Sequence, residues 1–181
     1  MTQFNELQQV KRHFFAMRNG VIADTLRKAG SPYRIIFGLN LPQIAEIAEM
    51  TPHTVELATA LWNNTSTRES MLIAPMLYPV ENYTDDLAME WLSQSPTAEC
   101  TDILCHRLLR HMPDSYGFGC RLAQMTEPAY RYAAMRLLWH FIGRHPEDLK
   151  KIFVKEYERN DPHTRTIACQ AIDETDYLCS L

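Results

Sequence analysis

Six prolines divide the second half of the chain at nearly even intervals: Pro79, Pro96, Pro113, Pro128, Pro146 and Pro162, with steps of 17, 17, 15, 18 and 16 residues. Proline has no backbone donor and its ring collides with the preceding turn. It is accepted in the first turn of a helix or beyond its end, and costs about 3 kcal/mol in the interior. Even spacing of such residues sets even spacing of helix starts, one helix to each interval. Two intervals make about 33 residues, within the range of helix-turn-helix repeat units. The expected fold class is all-α, a helical repeat solenoid of about ten to eleven helices. Such a chain buries a core only by stacking neighbouring pairs, which leaves a long curved surface for a partner.

The rest of the sequence agrees with one domain spanning 1–181. With 46% hydrophobic and 22% charged residues the chain can bury a sizeable core, and nothing in its composition suggests disorder. No apolar stretch approaches the roughly 18 residues of a membrane span, and the opening MTQFNELQQVKRHF has no hydrophobic signal core. A cytoplasmic protein without membrane contact is expected. The five cysteines (Cys100, Cys105, Cys120, Cys169 and Cys179) include no C-x-x-C pair, which argues against a disulfide framework or a zinc site. They are expected to be buried thiols, and no metal or cofactor is expected.

Hydrophobic periodicity and breakers place the helices. Phe4, Leu7, Val10, Phe14 and Met17 recur at three- to four-residue spacing, giving an amphipathic first helix that ends near Asn19-Gly20. A second, from about Val21 to Ala29, completes an amino-terminal hairpin within 1–30. The segment SPYRIIFGLNLP is loop. Helices then follow over 42–50, 52–63, 67–78, 84–94, 97–112, 115–125, 128–144, 147–159 and 163–175, about four pairs within 42–175. Pro75 alone lies inside a helical pattern, where it should bend the helix rather than end it.

Charge is unevenly spread. Residues 1–40 hold six Lys/Arg (Lys11, Arg12, Arg18, Arg27, Lys28 and Arg34) against two acids, so +4, and the remainder holds 12 against 20, so −8, which sums to the net −4. A basic first segment can serve an anionic partner, and solvated helix faces have the same composition. In the 97–112 helix, Arg107, Arg110 and His111 project together, away from Leu104, Leu108 and Met112. In the 128–144 helix, Tyr130, Ala134, Leu137 and Phe141 form a core stripe flanked by Ala133 and Leu138. Tyr132, Arg136, Trp139 and Gly143 lie nearly opposite. Aromatic rings beside arginines can stack on bases and hold phosphates, and can equally pack against a neighbouring repeat. His140 and His145, and Cys105 and His106, lack the i, i+4 spacing that puts two metal ligands on one helix face. No phosphate-binding glycine loop or hydrolase motif is present.

The stretches FGLNLPQIAEIAEM (37–50) and LWNNTSTRESMLIAPML (61–77), through Gly38, Leu39, Leu41, Pro42, Leu61, Trp62 and Glu69, resemble the AlkD-like DNA alkylation repair family. These are HEAT-like repeat proteins that include alkylpurine DNA glycosylases. YRYAAMRLL, with Arg131 and Ala133-Ala134, is similar to a further helix of that family. The resemblance implies a HEAT-like solenoid that cradles DNA backbone on its concave side. It also implies a carboxylate beside the lesion to stabilise the cationic sugar that develops as the base leaves. The family's Trp-Asp-x-x-Asp run falls on Thr101-Asp102-Ile103-Leu104-Cys105, so Asp102 is kept while the position of the catalytic carboxylate holds Cys105. A later family Trp and Arg fall on Gln170 and Asp173.

The expectation is therefore a non-catalytic or weakly active module binding double-stranded DNA through Arg107, Arg110, His111, Arg131, Tyr132, Arg136 and Trp139, with help from the basic amino-terminal hairpin. One alternative is a divergent glycosylase that excises alkylated purines using Asp102, with Glu99 as a substitute carboxylate. The other is a scaffold for a protein partner.

Overall fold

The computed structural model describes residues 2–180, and the side chains from residue 6 onward. The described chain is all-helical: α1 (Thr2–Ala16), α2 (Gly20–Lys28), α3 (Leu41–Glu49), α4 (Val55–Trp62), α5 (Arg68–Leu77), α6 (Asp85–Gln94), α7 (Ala98–Arg107), α8 (Ser115–Leu122), α9 (Pro128–Leu138), α10 (Pro146–Glu158) and α11 (Arg165–Cys179). Three short 3-10 turns, Val80–Asn82, Leu109–His111 and Trp139–Phe141, fall between them. None of these helices is long and apolar enough to cross a membrane.

Each of the six spaced prolines lies at a helix junction, and Pro128 and Pro146 occupy first-turn positions of α9 and α10. Side-chain caps set other starts. The Asn19 side chain accepts from the backbone N–H groups of Val21 and Ile22, and Asn40 and Gln43 form a reciprocal capping box at α3. Two expected starts move, one by three residues and one by two. α4 begins at Val55, capped by Thr54 rather than at Pro52, and α11 begins at Arg165 rather than at His163. In both places a proline directly after a Thr or Asp (Thr51-Pro52, Asp161-Pro162) precedes the helix start. α5 continues past Pro75 to Leu77, so that proline does not end the helix.

The helices form two compact units. The first runs through Tyr83 and takes in Pro96–Leu104; the second is Thr84–Ser95 with the chain from Cys105 onward. The expected hairpin over 84–112 is thereby divided: α6 packs with α9 in the second unit, while most of α7 packs in the first. In the first unit α5 packs against α3 and α4, and α1 against α4. Phe14, Leu39, Ile44, Ile47, Leu57, Leu61, Trp62, Met71, Leu72 and Ile73 are fully buried there. Val10 and Phe14 of the first-helix stripe are buried, Leu7 and Met17 half-buried, and the Phe4 side chain lies outside the described residues. In the second unit α9 is the hub, touching α6, α8, α10 and α11. Gly119 of α8 permits part of that packing, because a Cβ there would lie 2.7 Å from Leu138 Cδ2.

Contacts between successive helix pairs recur at a narrow range of sequence separations. The buried pairs Gly38–Glu69, Leu39–Arg68, Arg68–Glu99 and Cys105–Ala133 are 31, 29, 31 and 28 residues apart. Arg131–Asp161 adds a separation of 30. These values lie a few residues below the period of about 33 set by the prolines. In the first unit Glu69, fully buried, accepts from the backbone N–H groups of Phe37, Gly38 and Leu39 at 3.0, 2.9 and 3.4 Å. Arg68 spans Glu69, the Leu39 carbonyl and both oxygens of Glu99. In the second, Arg131 donates to Glu156 at 2.9 Å and to Asp161 at 2.6 Å, and Thr164 donates to Glu156 at 2.6 Å. Each arginine ties one helix pair to the next through charge-assisted bonds.

Candidate functional site

Cationic and imidazole groups gather in the second unit at the end of α7, on the Leu109–His111 turn, and on the last turn of α9 with the Trp139–Phe141 turn. The chain builds this cluster by tightening two helices at their ends. Leu108 leaves helical geometry at φ −126°, ψ −60°, so the next turn buries Leu108, Leu109 and Met112 and leaves Arg107 and His111 exposed and Arg110 half-buried. α9 tightens at Leu138, which places His140 at the surface. His106 and Arg107 lie in the last turn of α7 and Arg136 in that of α9, where the partial negative charge of a helix C-terminus favours cations.

Arg110 organises the cluster. Its Nε donates to His111 Nε2 at 3.0 Å, and its Nη1 lies 3.5 Å from His106 Nδ1. A guanidinium only donates, so both imidazoles are acceptors at these nitrogens, and each keeps its proton on the other. The rings of His106 and His140 lie 5.1 Å apart at 37°. Among the described residues, Arg107 and Arg110 make no ion pair with a carboxylate.

The electrostatics follow from this crowding. Packing of its ring, then the positive fields of His106, Arg110, Arg136 and His111, push the His140 pKa down to about 4, although much of the residue is open to solvent. Desolvation, followed by Arg110 and Arg107, lowers His106. Desolvation and then Arg110 lower His111. Tyr132 on α9 and Trp139 on the turn after it are half-buried.

The sequence-derived candidates divide accordingly. Arg107, Arg110, His111, Tyr132, Arg136 and Trp139 all fall in the elements that build this face. Arg131 does not serve as a surface cation. It is 5% exposed, and its guanidinium is held by Glu156, Asp161 and the carbonyls of Met125 and Thr126. Four helices cover α9, so only a narrow strip of it reaches solvent. The same covering buries Met135, while Tyr130 and Phe141 of the expected core stripe are half-buried. Two residues that join the cluster, His106 and His140, entered the sequence argument only as poor metal ligands. They meet because they are 34 residues apart, one repeat period.

The remaining candidates lie in other surroundings. Asp102 is half-buried on the part of α7 belonging to the first unit. Glu99 is engaged by Arg68. Cys105, at the position matched to the family carboxylate, is 1% exposed and directs its thiol to the Ala133 carbonyl at 3.6 Å. Gln170 and Asp173 are exposed on α11. All five cysteines are free, but only Cys100 and Cys105 are buried; Cys169 near the start of α11 and Cys179 at its end are exposed, correcting the expectation that all are core thiols. No group of three or more metal-ligating side chains occurs among the described residues.

The first unit carries its own basic surface on α1. Lys11 and Arg12 border a shallow hollow with Gln8, Phe15 and Phe37. Phe15 is 57% exposed, and the Arg18 guanidinium lies 3.9 Å from its ring centre. Arg27 of the same hairpin is instead paired with Asp24 at 2.8 Å. No protein-family model, curated protein or solved structure matches this chain.

Proposed function

We propose that this chain is a non-catalytic helical-repeat module that binds double-stranded DNA through its phosphate backbone. The observation that carries the proposal is the cluster on the second unit in which Arg110 bridges His111 and His106 and the His106 ring lies against His140, on elements that also carry Arg107, Arg136, Tyr132 and Trp139. Crowded positive groups lower the pKa values of His106, His111 and His140, and phosphate is an anion that guanidinium groups match bidentately. The basic surface on α1 offers a second set of phosphate contacts. The repeat-length contact separations support the helical-array part of the proposal, and the resemblance to DNA alkylation repair proteins supports its choice of partner. A non-catalytic role is favoured because the matched carboxylate position holds a buried thiol.

The test is fluorescence anisotropy with a labelled duplex of random sequence at low salt, comparing the protein with a variant carrying Arg107→Gln, Arg110→Gln and Arg136→Gln. Binding weakened at least tenfold in the variant, about 1.4 kcal/mol, is expected. Equal binding would remove this face from the interaction, and no binding by either protein would leave a protein partner as the better proposal. In parallel, incubation with methylated DNA should release no 3- or 7-methylpurine. Release abolished by Asp102→Asn would establish the glycosylase alternative.

A further inference from the structure

The cluster around Arg110 is more concentrated than contact with a continuous strand requires. Internal phosphodiesters each carry a single charge and are spaced along the strand, so proteins usually meet them with cations set out along a groove. Here the basic groups converge. One guanidinium touches two imidazoles at 3.0 and 3.5 Å, and a third imidazole ring lies 5.1 Å from one of those. Two of the five N–H donors of Arg110 are spent on His111 and His106, which leaves three for a ligand. His106, with Nδ1 turned to Arg110, holds its proton on Nε2 as a further donor.

Resting on the DNA-binding proposal above, we infer that the His106–Arg110–His140 cluster is a subsite for a terminal phosphate, the phosphomonoester at a nucleic-acid end. A monoester presents three terminal oxygens and a charge of about −1.5 to −2 near pH 7, against the single charge of an internal diester. That matches a close-set cluster of donors in which, among the described residues, no carboxylate pairs Arg110 or Arg107. The depressed imidazole pKa values agree: a dianion among them would restore their protons, so the cluster responds most to the ligand with the greatest local charge. Trp139, next to His140 in sequence, is half-buried, and an indole with a face open to solvent can stack on a terminal base pair.

The experiment compares four duplexes of identical sequence by anisotropy at about 0.15 M salt: one with 5′-phosphates, one with 3′-phosphates, one with hydroxyl ends, and a covalently closed dumbbell. The expected result is at least tenfold tighter binding of one or both phosphorylated duplexes than of the hydroxyl-ended and closed forms. That preference should vanish in His106→Gln and His140→Gln, while their binding to the dumbbell falls by a smaller factor than their binding to the phosphorylated duplex. Inorganic phosphate should compete selectively with the phosphorylated duplex. Equal, measurable binding of all four duplexes would overturn the terminal-phosphate subsite and leave the DNA-binding proposal standing. No binding of any duplex would overturn both. Thermal melts of each variant separate loss of the subsite from loss of the fold.

Discussion

His140 shows what single side chains contribute to this face. Its imidazole titrates at about 4 in the folded chain, against about 6.5 when unfolded. Between those values the unfolded chain binds the proton and the folded chain does not, so stability falls as pH drops through that window and is unaffected above it. His106 and His111 shift in the same direction and add to the effect. Thermal melts at pH 7 and pH 5 should therefore show a loss of stability at the lower pH that is smaller in His140→Gln. Added phosphate should restore more stability at pH 5 than at pH 7. An identical acid loss in the variant would show that His140 is not the group responsible. Little of this was legible in the sequence. His106 and His140 look unremarkable one at a time, and only a repeat period applied across 34 residues pairs them. Arg131 illustrates the converse: helical periodicity gives the direction of a side chain but not how many neighbours cover the helix, and α9 is covered by four.

At the scale of elements, the loop before α3 and the start of α5 form one locked joint. Glu69 replaces water for three consecutive backbone N–H groups, while Arg68 neutralises it and reaches Glu99. Removing one member of a buried, hydrogen-bonded pair leaves the other charge uncompensated, at a cost of about 3 to 5 kcal/mol. Glu69→Ala should lower the urea midpoint by a corresponding amount, and a change below about 1 kcal/mol would contradict the joint. Gly38 is fixed for two reasons: its φ is +80°, and an added Cβ would collide with the Asn19 carbonyl and the Ala23 amide of α2. Gly38→Ala should therefore destabilise the first unit by more than the ~1 kcal/mol usual for left-handed positions. Helix starts were the most legible feature, because a proline or a capping Asn or Thr acts within one turn. The 3-10 endings of α7 and α9 were not legible, since they answer to the burial of Leu108, Leu109 and Ile142 in tertiary packing.

At the scale of the whole molecule, a chain of net charge −4 is proposed to bind a polyanion, so the distribution of charge matters more than its total. Twenty acids lie beyond residue 40, yet among the described residues none pairs with Arg107 or Arg110, and salt screens repulsion from those acids as well as attraction to the arginines. The all-helical class followed from proline spacing alone. The assignment of α6 and α7 to different units did not, because it depends on which neighbour buries Trp91 and which buries Cys100. The most direct measurement is the salt dependence of duplex binding for the protein and for single Arg107→Gln, Arg110→Gln and Arg136→Gln variants. A contact to Z phosphates gives a slope of about −0.9Z in log affinity against log salt. The account predicts a steep slope for the unaltered protein that becomes shallower by about one for each arginine removed. A flat salt dependence, or slopes that the substitutions leave unchanged, would contradict it.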